Sequence, residues 1–177
     1  GDLLLREVST RLNALSRFSE TFYRLGGDEF AFLSSGLTEA AAVSRAREIS
    51  DSISKPYTIN NQLIKIATCV GIVLSDNERR SDYLYKFADL ALYEAKKEGS
   101  QQIKVFRQRM LQKLQESRTL ENDMARAIEN DEFIVYYQPI VNSVSKEIYG
   151  YEALIRWMHP VKGMLSPDSF IFAAEKT

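Results

Sequence analysis

The chain has 177 residues, 45% hydrophobic and 27% charged, with 23 basic and 24 acidic side chains and a net charge of −1. Such a composition supports a buried core and excludes a general basic field for nucleic acid or anionic lipid. A lone cysteine, Cys69, excludes an intramolecular disulfide and fits a reducing cytoplasm, and no apolar run reaches the roughly 20 residues that span a bilayer. Gly1-Asp2 opens without a basic leader, so membrane attachment is expected only through segments upstream, with the parent cytoplasmic or held at the inner membrane.

Leu4, Leu5, Val8, Leu12 and Leu15 recur at helical spacing and predict an amphipathic helix over 3–15. Residues 21–33 alternate around Gly26-Gly27, which reads as strand, tight turn, strand. A helix over 38–54 follows, with Thr38 as N-cap and Lys55-Pro56 as its stop. Residues 57–59, the Asn60-Asn61 turn and a long strand over 63–74 predict a second hairpin. A polar loop over 75–81 leads to a helix over 82–98 that ends at Gly99, then to a short strand over 103–106. Helices and hairpins in this order predict an α+β sheet layer with helices packed on it.

From Arg107 to Asn130 a charged helix with Met110, Leu114, Met124 and Ile128 as its apolar stripe reads as a connector. Two strands, 133–141 and 148–157, follow, and Ser166-Pro167-Asp168 starts a helix with Ser166 as N-cap. Two strands and a broken helix bury too little surface to stand alone, so a second copy is expected to cover the exposed strand.

Asp28 and Glu29 are adjacent at the first hairpin tip and project to opposite sides of it. One acid there can hold a divalent cation while the other lies near a reacting hydroxyl, and the glycines admit a phosphate to the backbone. Taken alone, the four residues read first as a solvated hairpin end. In context, Tyr23-Arg24-Leu25-Gly26-Gly27-Asp28-Glu29-Phe30 resembles the active-site hairpin of the GGDEF diguanylate cyclases. Gly1-Asp2-Leu3-Leu4 resembles the family's preceding helix start, Val70-Gly71-Ile72 its later strand, and Ala88-Asp89-Leu90-Ala91-Leu92-Tyr93-Glu94-Ala95-Lys96 its late helix.

The resemblance covers residues 1–106 and implies a nucleotidyl-cyclase-like domain lacking its N-terminal part. It implies GTP as substrate, Mg²⁺ or Mn²⁺ as cofactor, cyclic di-GMP as product, and a homodimer in which two GTP molecules are joined head to tail. Asp28 would be a catalytic metal ligand, and Glu29 a catalytic acid at the metal and the 3′-hydroxyl. Gly26 and Gly27 would line the substrate, Asp2 would contact guanine, and Lys96 the terminal phosphates. The family's first metal-binding aspartate would lie upstream of Gly1. Ser100 stands where an arginine is usual, a loss of about 1.5–3 kcal/mol of phosphate contact. Arg17-Phe18-Ser19-Glu20 falls on the family's product-inhibition motif, with Glu20 a methylene longer than the usual aspartate. On their own, Arg17 and Glu20 are equally an exposed loop pair.

Glu152, Leu154 and Arg156 share one face of a strand, with Tyr151, Ala153, Ile155 and Trp157 on the other. An acid and an arginine so placed read as a buried ion pair, or as a metal ligand beside a phosphate clamp. Tyr136-Tyr137-Gln138-Pro139-Ile140, Tyr151-Glu152-Ala153-Leu154-Ile155-Arg156-Trp157 and His159-Pro160 resemble the opening of an EAL phosphodiesterase, a TIM-like barrel that hydrolyses cyclic di-GMP with two metals. That likeness makes Glu152 a metal ligand, Arg156 a phosphate contact and Gln138 a ligand contact. One carboxylate does not hold two metals, so this piece is expected to be inactive in hydrolysis. The expected organisation is a cyclase-like domain over 1–106, a connecting helix over 107–130 and the start of the barrel over 131–177. The alternative function is a module that binds GTP or cyclic di-GMP and regulates the barrel without synthesis.

Overall fold

Helix α1 (Asp2–Leu15) buries Val8 and Leu12, four residues apart on the face its apolar spacing marks. The computed structural model describes residues 1–75 and 81–174, and they divide into two compact units, Gly1–Met110 and Leu111–Thr177.

In the first unit, β1 (Glu20–Gly26) and β2 (Glu29–Ser34) pair antiparallel, with Phe22 opposite Phe32 and their ring centroids 4.8 Å apart. Helix α2 (Glu39–Ile53) starts at Thr38, whose hydroxyl accepts from the Ala41 N–H as an N-cap should. Its other end is closed by Arg11 of α1, which donates to the carbonyls of Ser52 and Lys55 at 2.9 and 2.7 Å. The same guanidinium lies 3.7 Å from the centroid of the Tyr57 ring. Val8, Leu12, Ile49, Ile53 and Tyr57 form the core between these elements.

The expected long strand over 63–74 is two strands. β4 (Gln62–Ile64) closes a hairpin with β3 (Tyr57–Ile59), while β5 (Val70–Ile72) pairs in parallel with β6 (Ile103–Val105). The apolar spacing runs on across both stretches, but each has a different backbone partner. Between them Thr68 meets the Ser50 hydroxyl at 2.8 Å and the Cys69 thiol donates to the Gly99 carbonyl. Asn60 and Asn61 both take positive φ, the geometry of a tight two-residue hairpin turn. Helix α3 (Ser81–Lys97) packs on β5. The loop expected over 75–81 falls largely on 76–80, outside the described residues.

Helix α4 (Gln108–Glu129) carries the chain into the second unit, where β7 (Phe133–Val141), β8 (Ile148–His159) and β9 (Gly163–Leu165) form one antiparallel sheet in the order β7-β8-β9. Strand β9 adds to the two expected strands, because β8 runs two residues past Trp157 and offers the edge that β9 pairs with. Helix α5 (Pro167–Ala174) follows. Trp157 is fully buried among Met124, Ala127 and Phe170, and its Nε1 donates to the Glu132 carboxylate at 2.8 Å. The apolar stripe expected on α4 is corrected at Ile128, which is 71% exposed. Leu120, Met124 and Ala127 face this core instead, since the row continues at i+3 and leaves i+4 at its edge. Among the described residues no helix is long and apolar enough to cross a membrane.

Candidate functional site

The β1–β2 tip is shaped by its glycines. Gly27 takes φ +51°, in the left-handed region, and its carbonyl accepts two bonds from the Arg24 guanidinium at 3.2 and 2.8 Å. Gly26 pairs with Glu29 after a register slip at Arg24, which leaves Asp28 exposed in the turn and Glu29 as the first residue of β2.

Glu29 does not stand alone. Its Oε1 lies 3.9 Å from Lys96 Nζ, with both side chains about half exposed. Two separate motifs, the hairpin and the late helix, therefore bring an anion and a cation together. The approach is set by Gly71 in β5. A Cβ there would lie 2.2 Å from the Ala88 carbonyl oxygen and 2.3 Å from the Leu92 nitrogen. Ala88, Leu92 and Lys96 form one row along α3 at i, i+4 and i+8, so the strand seats the row that ends in Lys96. Lys96 and Lys97 sit in the last helical turn, where exposed carbonyls favour cations. Ser100 is exposed just beyond, after Gly99 at φ +117°, and supplies no charge.

Asp2 lies exposed in the first turn of α1, and among the described residues no hydrogen bond or ion pair joins it to the hairpin. Arg17 and Glu20 are not the simple exposed pair that the sequence also allowed. The Glu20 side chain is only 5% exposed and is held by Arg45, itself 3% exposed, through Nε at 2.9 Å and Nη2 at 2.6 Å. Hydrogen bonds from Arg45 hold the Glu20 carboxyl below the usual carboxylate range, against the opposing effect of burial. Arg17 turns away to Glu48, reaching both carboxylate oxygens at 2.7 Å. Sequence reasoning passed over Arg45 and Glu48. A signal for Arg45 was present, since it sits beside Ala46 on the apolar face of α2.

In the second unit Gln138 stands directly opposite Glu152, and Ile134 opposite Arg156. These side chains share the face turned away from Trp157, Ile155 and Phe133, which pack with α4 and α5. Gln138 and Glu152 are exposed. The buried ion pair that the sequence allowed between Glu152 and Arg156 is not formed: four residues along a strand span about 13 Å, beyond direct contact. Arg156 instead donates to the Ile155 carbonyl at 2.8 Å, with its guanidinium 5.8 Å from the Tyr136 ring centroid.

His159 serves the adjoining turn. Its Nδ1 accepts from the Val161 and Lys162 N–H groups at 3.1 Å each, which leaves Nε2 to donate to Asp123 at 3.2 Å. That bond holds Asp123 below the usual carboxylate range.

Asp28 and Glu29 are adjacent carboxylates at the exposed tip, and a hard divalent cation takes one or two carboxylates and completes its shell with water and substrate phosphates. Among the described residues no three His, Cys, Asp or Glu side chains gather as a metal set. Glu152 stands exposed and directly opposite the Gln138 amide.

Residues 1–102 match the family model "Diguanylate cyclase, GGDEF domain", and residues 121–177 match "EAL domain". The chain is 37% identical over 179 residues to the bifunctional diguanylate cyclase/cyclic di-GMP phosphodiesterase MucR of Pseudomonas aeruginosa, covering all of this chain and 26% of that protein. It is 34% identical over 178 residues to the cyclic di-GMP phosphodiesterase PdeR of Escherichia coli, covering all of this chain and 27% of the relative. The chain thus spans about a quarter of the length of these curated relatives. Among solved structures, an EAL/GGDEF domain protein from M. capsulatus superposes with a TM-score of 0.55 at 30% identity, over 60% of this chain and 70% of that one.

Proposed function

Because the chain belongs to the GGDEF diguanylate cyclase family over residues 1–102 and continues into an EAL domain over 121–177, we propose that it joins two GTP molecules into cyclic di-GMP at the Gly26–Glu29 hairpin. The observation that carries this reading is the meeting of Glu29 with Lys96 at the exposed tip. The carboxylates there draw a cation that a triphosphate also needs, and the lysine gives the phosphates a point charge.

In each joining step a 3′-hydroxyl of one GTP attacks the α-phosphorus of the other, a P–O bond forms, the α–β bridge breaks, and pyrophosphate leaves. Asp28 and Glu29 would hold Mg²⁺ or Mn²⁺, which neutralises charge on the phosphates when bound. Glu29 lies beside the attacking hydroxyl and takes its proton. The backbone at Gly26 and Gly27 leaves room for the triphosphate, Lys96 holds its terminal phosphates, and Asp2 reads guanine. Each domain presents one GTP, so two copies face each other as a dimer. Residues 1–106 form this nucleotide domain, 107–130 the connector, and 131–177 the start of a cyclic di-GMP phosphodiesterase domain. In that domain Glu152 is a metal ligand, Arg156 contacts phosphate and Gln138 contacts the dinucleotide. The parent works in the cytoplasm.

A second reading is favoured by Ser100, which leaves the phosphate end with fewer cations. Here the hairpin binds GTP or cyclic di-GMP and regulates the EAL domain. Titrating GTP with and without Mg²⁺ tests the common premise. The expected result is metal-dependent binding weakened about tenfold or more by Lys96→Met, the loss of one charge-assisted contact. Binding indifferent to metal and to Lys96 would remove synthesis and GTP-dependent regulation alike.

A further inference from the structure

Arg24 belongs to the hairpin motif yet holds no substrate in the reaction proposed for it. It pairs with Phe30 across the hairpin, and the register slip that follows leaves Leu25 without a partner in β2. Such a bulge adds twist and re-aims the neighbouring side chain. Here the Arg24 guanidinium reaches the turn, where Nε and Nη2 donate to the Gly27 carbonyl at 3.2 and 2.8 Å. Gly26 and Glu29 are paired, so the turn itself is the two residues Gly27 and Asp28. Gly27 has φ +51° while Asp28 keeps a negative φ, the sign pair of a type II′ turn.

A type I′ turn through the same two residues differs by rotation of one peptide, Gly27–Asp28, through about half a turn, and needs a positive φ at Asp28. Aspartate tolerates that conformation, and hairpins use both turns, so the tip has two accessible states. The two states present opposite groups to a ligand. Across a trans peptide the C=O and N–H point opposite ways. With the Gly27 carbonyl on Arg24, the Asp28 N–H is directed away from the guanidinium. Asp28 lies outside both strands, and among the described residues no hydrogen bond takes that N–H. The space beside the turn is open, since a Cβ at Gly26 or Gly27 would meet nothing within 4 Å. After the rotation a carbonyl oxygen would stand where the N–H stood, and the changed φ would re-aim the Asp28 carboxylate.

We propose that Arg24 is a positioning residue that selects the type II′ state: it holds the Gly27 carbonyl so that the Asp28 N–H faces a substrate phosphate and the Asp28 carboxylate faces the cation. The guanidinium acts on the turn and not on the substrate. Once released, the Gly27–Asp28 peptide turns over and meets the phosphate with an oxygen, which repels it. The consequence for GTP rests on the nucleotide reading above, whereas the control of the turn does not.

The test uses the full-length protein labelled with ¹³C-carbonyl glycine and ¹⁵N-aspartate, in which the Gly27–Asp28 peptide gives an NMR signal identified by its loss in Asp28→Asn. Without nucleotide, a single position is expected in the wild type, and a displaced or exchange-broadened signal in Arg24→Ala and Arg24→Lys. Lysine keeps the charge but has no fork with which to hold one carbonyl from two nitrogens. Both variants should therefore bind GTP with Mg²⁺ about threefold to tenfold more weakly than the wild type. Their Tm should stay within about 2 °C of it, since the contact is exposed. Arg24→Lys binding as tightly as the wild type would make Arg24 a direct phosphate contact and overturn the proposal. A peptide signal that Arg24→Ala leaves unmoved would overturn it too. A signal that moves in a protein that binds no GTP would support the control of the turn and remove the nucleotide reading.

Discussion

Replacing Gly71 by alanine adds one methyl group where β5 and α3 meet, and the structure sets its cost. The new Cβ would sit 2.2 Å from the Ala88 carbonyl oxygen, 2.3 Å from the Leu92 nitrogen and 2.9 Å from the Leu92 Cα, against an ordinary contact of 3.4–4 Å. All three are backbone atoms, so no side chain can rotate aside, and α3 must move away by about 1 Å, an overpacking strain of about 1–3 kcal/mol. Alanine restricts the unfolded chain and returns about 0.4–1 kcal/mol where its backbone fits, which is too little to reverse the sign. The first unit is close to 100 residues, so a net loss near 1–2 kcal/mol lowers its Tm by about 4–16 °C. Thermal unfolding followed by circular dichroism measures this, with Gly26→Ala as control, since a Cβ at Gly26 would meet nothing within 4 Å. Because Ala88 and Leu92 share a row with Lys96, the variant should also weaken GTP binding. A Gly71→Ala protein melting within about 2 °C of wild type would refute the argument that this contact seats the helix.

Arg45→Met strands the sealed Glu20 carboxylate and should cost about 3 kcal/mol by urea unfolding, whereas Arg17→Met, on the exposed arm of the network, should cost under about 1 kcal/mol. The depressed Glu20 and Asp123 carboxyls stabilise the fold fully above their unfolded pKa of about 4. Stability should therefore be flat from neutral pH to about 5 and fall as these groups protonate below that. In Arg45→Met the acid-dependent loss should shrink, and a loss as steep as in wild type would count against the pairing. Trp157→Phe removes the Nε1 bond to Glu132 while keeping most of the ring, and should lower the stability of the second unit by about 1–2 kcal/mol in the same unfolding assay.

The local elements were legible because each carried its own chemistry: Thr38 as a cap, Gly26-Gly27 and Asn60-Asn61 as turns, and the apolar face of α1. What the sequence concealed depends on partners far along the chain. Apolar spacing runs on from Ile64 to Leu74, yet the backbone changes partner midway, since spacing does not record pairing. Strand β9 has three residues and exists because β8 offers it an edge. The meeting of Glu29 with Lys96 needs Gly71 to let α3 approach, a contact between residues far apart in the chain. Arg45 and Glu48 read as surface charges of a helix, and their roles appear only once the loop at 17–20 folds onto α2. The supposed Glu152–Arg156 pair failed on distance alone, since a shared strand face does not bring positions i and i+4 into contact.

The central claim is tested most directly by giving the full-length protein GTP and Mg²⁺ and separating the products by chromatography. On the role proposed for Glu152, a Glu152→Gln background keeps product from hydrolysis by the EAL domain. The result expected is cyclic di-GMP together with pyrophosphate, both absent when Asp28 is changed to Asn. GTP recovered unchanged, from a protein shown to bind it, would contradict synthesis at this hairpin and leave it a regulatory nucleotide site.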